Sequence, residues 1–159
     1  MTNYRGLLQA LEGVDFILVG GVAAVAHGSA RLTQDVDVVY SRKPGNIRRL
    51  VKALAPLSPY LRGASPGLPF RWDEKMVRHG LNFTLTTTMG SLDLFGEIAG
   101  GGSYEELRPH TITLQLFGLR CLCLSLDRLI AVKRAAGRPR DLEAVAELEA
   151  IREEKERRR

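Results

Sequence analysis

Cysteine is scarce. The 159 residues hold two, Cys121 and Cys123, which excludes a disulfide-stapled scaffold. They lie two apart inside an apolar run, so on a strand both would face the same way, and residues that close pair poorly. With no further cysteine beside them a zinc site is not expected. The expectation is two buried, reduced thiols in a cytoplasmic protein. There is no stretch of about 18 consecutive apolar residues, so no transmembrane helix and no membrane partner are expected. The N-terminus MTNYRGLLQALEG is too polar, and its apolar part too short, for a secretory signal. No internal repeat and no linker-like stretch is present. The expectation is therefore one domain over 1–159, with a core over about 14–118 and C-terminal helices over about 125–155.

What is present is ordinary for a soluble globular domain: 45% apolar and 26% charged residues. A chain of this length buries roughly 70% of its unfolded surface and needs no staple. Lys plus Arg total 23 against 18 Asp plus Glu, a formal net charge of +5. The resulting pI near 9.6 allows an anionic partner without specifying a fold.

Along the chain, Tyr4, Leu7, Leu8 and Leu11 recur at helical spacing, and Gly13 ends that helix. Phe16–Val19 is a short apolar strand. Gly20-Gly21 breaks it, and Val22 to His27 reads as a helix. Asp35 to Tyr40 alternates as a second strand. Asn46 is a plausible N-cap for an amphipathic helix carrying Ile47, Leu50, Val51 and Leu54. The segment from Pro56 to Pro69 is rich in proline and glycine and reads as a long irregular, substrate-facing or disordered loop. Leu81–Thr86, Leu92–Phe95 and Thr111–Phe117 read as strands, with a flexible turn over Gly100–Ser103. Ser125 caps a helix to about Ala136, stopped by Gly137, and Pro139 starts the last helix. The tail REEKERRR reads as a frayed, solvated helix end. This is an α/β (α+β) layout: a small mixed β-sheet with packed helices and a C-terminal helical hairpin.

The chemistry concentrates where Gly20-Gly21 is followed by Asp35-Val36-Asp37. A strand ends, two glycines turn the chain, and a helix begins; backbone N–H groups there can hold a phosphate that glycine lets approach closely. Asp35 and Asp37 leave one face of their strand while Val36 and Val38 point to the core. Two adjacent carboxylates repel unless a cation sits between them, and Mg²⁺ is the natural candidate. Farther on, Leu126, Leu129, Ile130 and Lys133 share one helix face. A lysine on an apolar stripe must snorkel out or meet a fixed anion. Asp141 lies near the start of the last helix, where a carboxylate also serves simple helix stability.

The run Gly20-Gly21-Val-Ala23…His27-Gly28…Arg31-Leu-Thr33-Gln-Asp35-Val-Asp37 resembles the nucleotidyltransferase superfamily that shares the DNA polymerase β palm fold. That superfamily places Asp-x-Asp on the second strand and a third carboxylate on a later one. Asp93 in Ser-Leu-Asp-Leu-Phe matches best, with Asp73, Glu74 and Glu97 as competitors. Lys133…Gly137-Arg138-Pro-Arg140-Asp141-Leu is similar to the Lys…Arg-x-x-Asp-Leu signature of the branch holding toxin–antitoxin and abortive-infection toxins. Where that branch often has a second Asp, this chain has Ala144. The resemblance covers Phe16 to Asp37 and Ser125 to Leu142 well, and the middle thinly.

The resemblance implies an NTP with its phosphates on Gly20-Gly21, and one or two Mg²⁺ ions on Asp35, Asp37 and Asp93. It implies Lys133, and with it Arg31, at the triphosphate, Thr33 ordering the turn, and Asp141 at the site's edge. It implies an acceptor hydroxyl, with tRNA the favoured acceptor given the positive charge, and a cognate antitoxin as partner. A protein or small-molecule acceptor, a metal-dependent phosphoesterase and a noncatalytic palm-fold module are the alternatives. A drug acceptor would want an acidic or aromatic pocket; aromatics are 6% and Trp72 is the one Trp, which leaves that choice open. His27 reads as structural, His79 and His110 as surface, and Arg48, Arg49 and Lys52 as a solvated helix face. The C-terminal arginines are diluted by Glu153, Glu154 and Glu156.

Overall fold

Residues 1–159 are described by a computed structural model. Alternating and fully apolar stretches form a mixed seven-stranded sheet. Its strands are β1 (Phe16–Val19), β2 (Asp35–Tyr40), β3 (Tyr60–Leu61), β4 (Phe83–Thr87) and β5 (Gly90–Phe95), with β8 (Thr111–Leu116) and β9 (Leu119–Leu124) added later in the chain. The order is β3-β4-β5-β2-β1-β9-β8. β2 runs antiparallel to β1 and parallel to β5, and β1 runs parallel to β9. A separate two-stranded ribbon joins β6 (Glu97–Ile98) to β7 (Gly102–Ser103).

The helices are α1 (Tyr4–Ala10), α2 (Gly20–Ala26), α3 (Pro44–Leu54), α4 (Glu74–His79), α5 (Tyr104–Leu107), α6 (Leu126–Ala136) and α7 (Pro139–Arg157). The expected apolar faces are the ones buried: Leu7, Leu8 and Leu11 from α1 and its end, Ile47, Leu50 and Leu54 from α3, and Leu129 and Ile130 from α6. They meet β1 and β2 in one continuous core. Gly137 stops α6 in the left-handed conformation at φ 67°. α6 and α7 then fold back as an antiparallel hairpin, since Asp127 pairs with Arg152 and Arg134 with Glu149. Cys121 and Cys123 are buried and unbridged on β9. His27 is buried, its Nε2 2.7 Å from the Leu124 carbonyl oxygen.

Several expectations change. α2 begins at Gly20 itself, not at Val22. Asn46 caps nothing: α3 starts at Pro44, where proline is pre-set for the first helical position. The Asn46 amide is instead buried. Its Oδ1 accepts from the Asp15 N–H at 2.7 Å, and its Nδ2 donates to the carbonyls of Asp15 and Ser41 at 3.0 and 2.8 Å. It thus staples the entry of β1 to the exit of β2. The segment 56–69 is mostly irregular but contributes the edge strand β3. Helix α4, capped by Asp73, is not foreshadowed by any apolar periodicity. The tail is solvated as expected, but it stays helical to Arg157, supported by pairs such as Arg158–Glu154.

Asn46→Ala strands the Asp15 and Ser41 backbone groups, so urea denaturation should show a loss of about 2–3 kcal/mol. Asn46→Ser should not rescue it, as it would at a helix cap.

Candidate active site

Strand register builds the acidic face. Asp35 and Asp37 stand two apart on β2, and Val36 and Val38 beneath them are fully buried. β5 lies parallel beside β2 with Asp93 directly across from Asp37, while Asp35 faces Ser91. Three carboxylates therefore share one face of two adjacent strands. The competitors of Asp93 are elsewhere. The Asp73 carboxylate accepts from the Met76 N–H at 2.8 Å as the cap of α4. Glu74 pairs with Arg48 at 3.3 Å, and Glu97 is exposed at the rim of the cleft.

On the other flank of β2, Val19 pairs with Asp37, and the chain turns at Gly20 with φ 65°. A Cβ on Gly20 would lie 2.0 Å from Asp37 Oδ2, and one on Gly21 2.5 Å from Thr33 Oγ1. Beside the phosphate approach expected of these glycines, the lack of a side chain at both makes room for Asp37 and Thr33. Thr33 in turn donates from Oγ1 to the Asp35 carbonyl at 3.2 Å, ordering the turn as expected.

The opposite wall comes from the helical hairpin. A cleft of about 270 Å³ runs from Gly20 and Asp37 to Lys133, Arg138 and Asp141, with Phe95, Ile98, Leu129 and Val132 as its apolar lining. Asp141 is buried and held by Arg138 through Nε–Oδ2 at 2.5 Å and a second contact to Oδ1 at 3.2 Å. Arg138 thereby pulls the Asp141 carboxyl below its ordinary range. Lys133 has Asp141 and Asp37 as charged neighbours, but the ion pairs of the site are made by Arg62 and Arg138. Burial pushes the Lys133 ammonium down from its usual value, and the two aspartates counter it in part. A lysine on an apolar stripe has thus met fixed anions while its own donors remain available.

Asp37 is the most perturbed acid. Burial, the neighbouring charge of Asp93, a hydrogen bond shared with Asp93, and then the charge of Asp35 push it up to about 7, with Lys133 opposing. Its Oδ1 is buried and has no hydrogen-bond partner. A buried, unpartnered acceptor among three carboxylates is a donor set suited to a hard divalent cation. No three acidic side chains enclose a common point, and Arg62 bridges two of them: Nη2 lies 2.7 Å from Asp93 Oδ1 and Nη1 3.8 Å from Asp35 Oδ2.

Two expected site residues stand apart from this group. Arg31 is engaged with Glu143 and Glu147 of α7, at 3.5 and 3.8 Å. Gly21 does not line the cleft, and a Cβ added to it would meet Thr33. Two residues were missed. Arg138 sits in the quoted Arg-x-x-Asp-Leu signature, and its spacing of three from Asp141 on a helix start was a usable signal. Arg62 offered none: it lies in the irregular segment, and only the pairing of β3 with β4 carries it to the acidic face.

A mixed sheet with three carboxylates on its central strands, and a helical hairpin bearing Lys and Asp across the cleft, is the fold of a nucleotidyltransferase. The solved structure of the lincosamide antibiotic adenylyltransferase LnuA, with lincomycin bound, superposes with a TM-score of 0.59. That match covers 94% of this chain and 98% of that one at 14% identity. The family model for the AbiEii nucleotidyl transferase toxin of type IV toxin–antitoxin systems matches residues 4–142, and the chain belongs to that family. No curated protein matches it. Ala144, where the toxin branch often carries a second aspartate, is buried in the packed face of α7 with Val145 and Leu148.

The raised Asp37 gives a stability signature in chelator. The folded state holds this proton up to about pH 7, whereas the unfolded chain releases it near pH 4. Stability therefore falls as pH rises through that window. Asp37→Asn removes the penalty: its melting temperature should match the parent near pH 4 and exceed it at pH 8 by roughly 4–8 °C, the effect of about 2 kcal/mol in a chain of this size.

Proposed function

We propose that this chain transfers a nucleotide from an NTP to an acceptor hydroxyl of RNA, with tRNA as the favoured substrate, in a Mg²⁺-dependent reaction that releases pyrophosphate. The observation that carries the reading is the register of Asp37 against Asp93 on one side, with Gly20 fitted to Asp37 and an unpaired Lys133 across the cleft. Asp35, Asp37 and Asp93 would hold one or two divalent ions. An ion bound there would supply positive charge for a displacement at the α-phosphate.

The chain's own groups do the rest. Lys133 supplies positive charge to the leaving pyrophosphate. Asp141, fixed by Arg138, keeps that lysine charged despite its burial. Asp93, beside Asp37, faces the acceptor side and helps draw the proton from the attacking hydroxyl. The apolar lining of Phe95, Ile98, Leu129 and Val132 excludes water from the nucleoside end. Because cation binding needs ionised carboxylates, the raised Asp37 makes metal affinity fall below about pH 7.

The acceptor is argued from charge and family. The net charge of +5 suits a polyanion, and the family is one of toxins in toxin–antitoxin systems, for which a cognate antitoxin is the fitting partner and the cytoplasm the fitting place. No helix is long and apolar enough to cross a membrane.

The test incubates each α-³²P-labelled NTP with Mg²⁺ and total cellular RNA. Label should enter the tRNA band with the parent chain and vanish with Asp35→Ala, whose circular dichroism should be unchanged. NTP binding without RNA labelling would move the acceptor to a small molecule or a protein. Loss of NTP binding altogether would leave a noncatalytic module. In the same assay Gly20→Ala should fall by about 100-fold or more, since the added Cβ displaces the Asp37 carboxylate by an ångström or so.

A further inference from the structure

We propose that Arg62 is a tethered cation that occupies the metal position of the resting site and is displaced when the divalent ion enters. This rests on the metal-dependent reading above. The guanidinium bridges Asp93 and Asp35, the outer two of the three carboxylates, and so stands where their shared cation would stand. Its Nη2 also donates to the Leu85 carbonyl at 2.8 Å.

The fit is incomplete in a telling way. Two buried side-chain polar atoms in the whole chain lack a partner, Arg62 Nε and Asp37 Oδ1. One is a donor and one an acceptor, and both belong to this cluster. An arginine built purely as a structural clamp would have its fork satisfied, because a buried unpaired donor costs about 1–3 kcal/mol. Here the arginine neutralises two acids, wastes a donor, and leaves the third acid with an empty lone pair. A divalent ion relieves both faults: it reaches Asp37 Oδ1, and it frees the guanidinium to regain water.

The tether is suited to release. Arg62 directly follows the two-residue edge strand β3 and is held at the backbone by its N–H to the Thr84 carbonyl at 2.9 Å. Gly63 and Gly67 beyond it have positive φ and nothing within 4 Å of a would-be Cβ. The side chain is 28% exposed, so the charged head has a short path to solvent. One univalent charge yields to a divalent one on the same carboxylates, since the attraction doubles at equal distance.

The experiment titrates Mn²⁺ into the full chain at pH 8 without nucleotide, reading free Mn²⁺ by electron paramagnetic resonance. Arg62→Gln should bind Mn²⁺ about ten-fold tighter than the parent, the effect of removing one competing charge at about 4 Å in a partly hydrated site. Arg62→Lys, a point charge without the fork, should fall between them and covers the case that Arg62→Gln folds poorly. Arg48→Gln removes the same charge from a distant helix face and should change affinity by less than about two-fold. Melting in chelator gives a second reading: Arg62→Gln should melt lower than the parent, and saturating Mn²⁺ should raise it more. Unchanged or weaker Mn²⁺ binding in Arg62→Gln overturns the proposal, as does an equal gain in Arg48→Gln. If the parent binds Mn²⁺ only with an NTP and Arg62→Gln binds it no better in either state, the proposal alone fails. If no form binds Mn²⁺ even with an NTP, the metal-dependent reading fails along with it.

Discussion

Like charges on one face of a sheet repel, and three carboxylates on β2 and β5 define what the rest of this fold must supply. Their closeness is fixed by backbone pairing, which side-chain repulsion cannot undo. Two cations at the site answer to that constraint. Arg62 arrives from the sheet edge and bridges two of the acids. Lys133 arrives from α6 and faces the third. Asp37, the most enclosed, keeps a proton to near neutrality. The resulting arrangement is partly neutralised, and Asp37 Oδ1 is left without a partner.

Glycine at position 20 belongs to the same constraint. The turn after β1 passes so close to Asp37 that no side chain fits, and the left-handed backbone there would strain any other residue. The two features that looked like independent motifs, a glycine pair and a carboxylate pair, are one steric unit. Asn46 does similar work at the other end of β1 and β2, where its buried amide joins the two strand termini. The pair of strands is thus pinned at both ends, by a glycine that yields space and an amide that fills it.

The legible parts of the sequence were those encoded within a few residues. Alternation set Asp35 and Asp37 on the face opposite the buried Val36 and Val38. Asp93 stood out because Leu92 and Leu94 flank it on a strand. Lys133 was conspicuous as a charge on an apolar stripe. What escaped depended on contacts distant along the chain. Asn46 had the chemistry of a cap, yet Pro44 had already begun the helix and the amide was taken by Asp15 and Ser41. The strand Leu119–Leu124 is apolar at every position but Arg120, a pattern that short runs share with buried helix. It pairs with β1 across most of the chain length. Arg62 lies in a proline-rich stretch without periodicity, and its place follows only from which edge β3 joins.

The parallel pairing of β1 with β9 sets Ile17 beside Leu122, so the sheet cannot close until late in the chain. Such distant contacts carry a loop-closure cost and slow folding. A chain emerging from the ribosome exposes all three carboxylates, and Arg62 with them, before Lys133, Arg138 and Asp141 have been made. In the nascent protein Arg62 is the only one of the site's own cations yet made, and the wall that carries the lysine is added last. The half-built chain is therefore an acidic face holding its own counter-charge, with no cleft in which to receive a nucleotide.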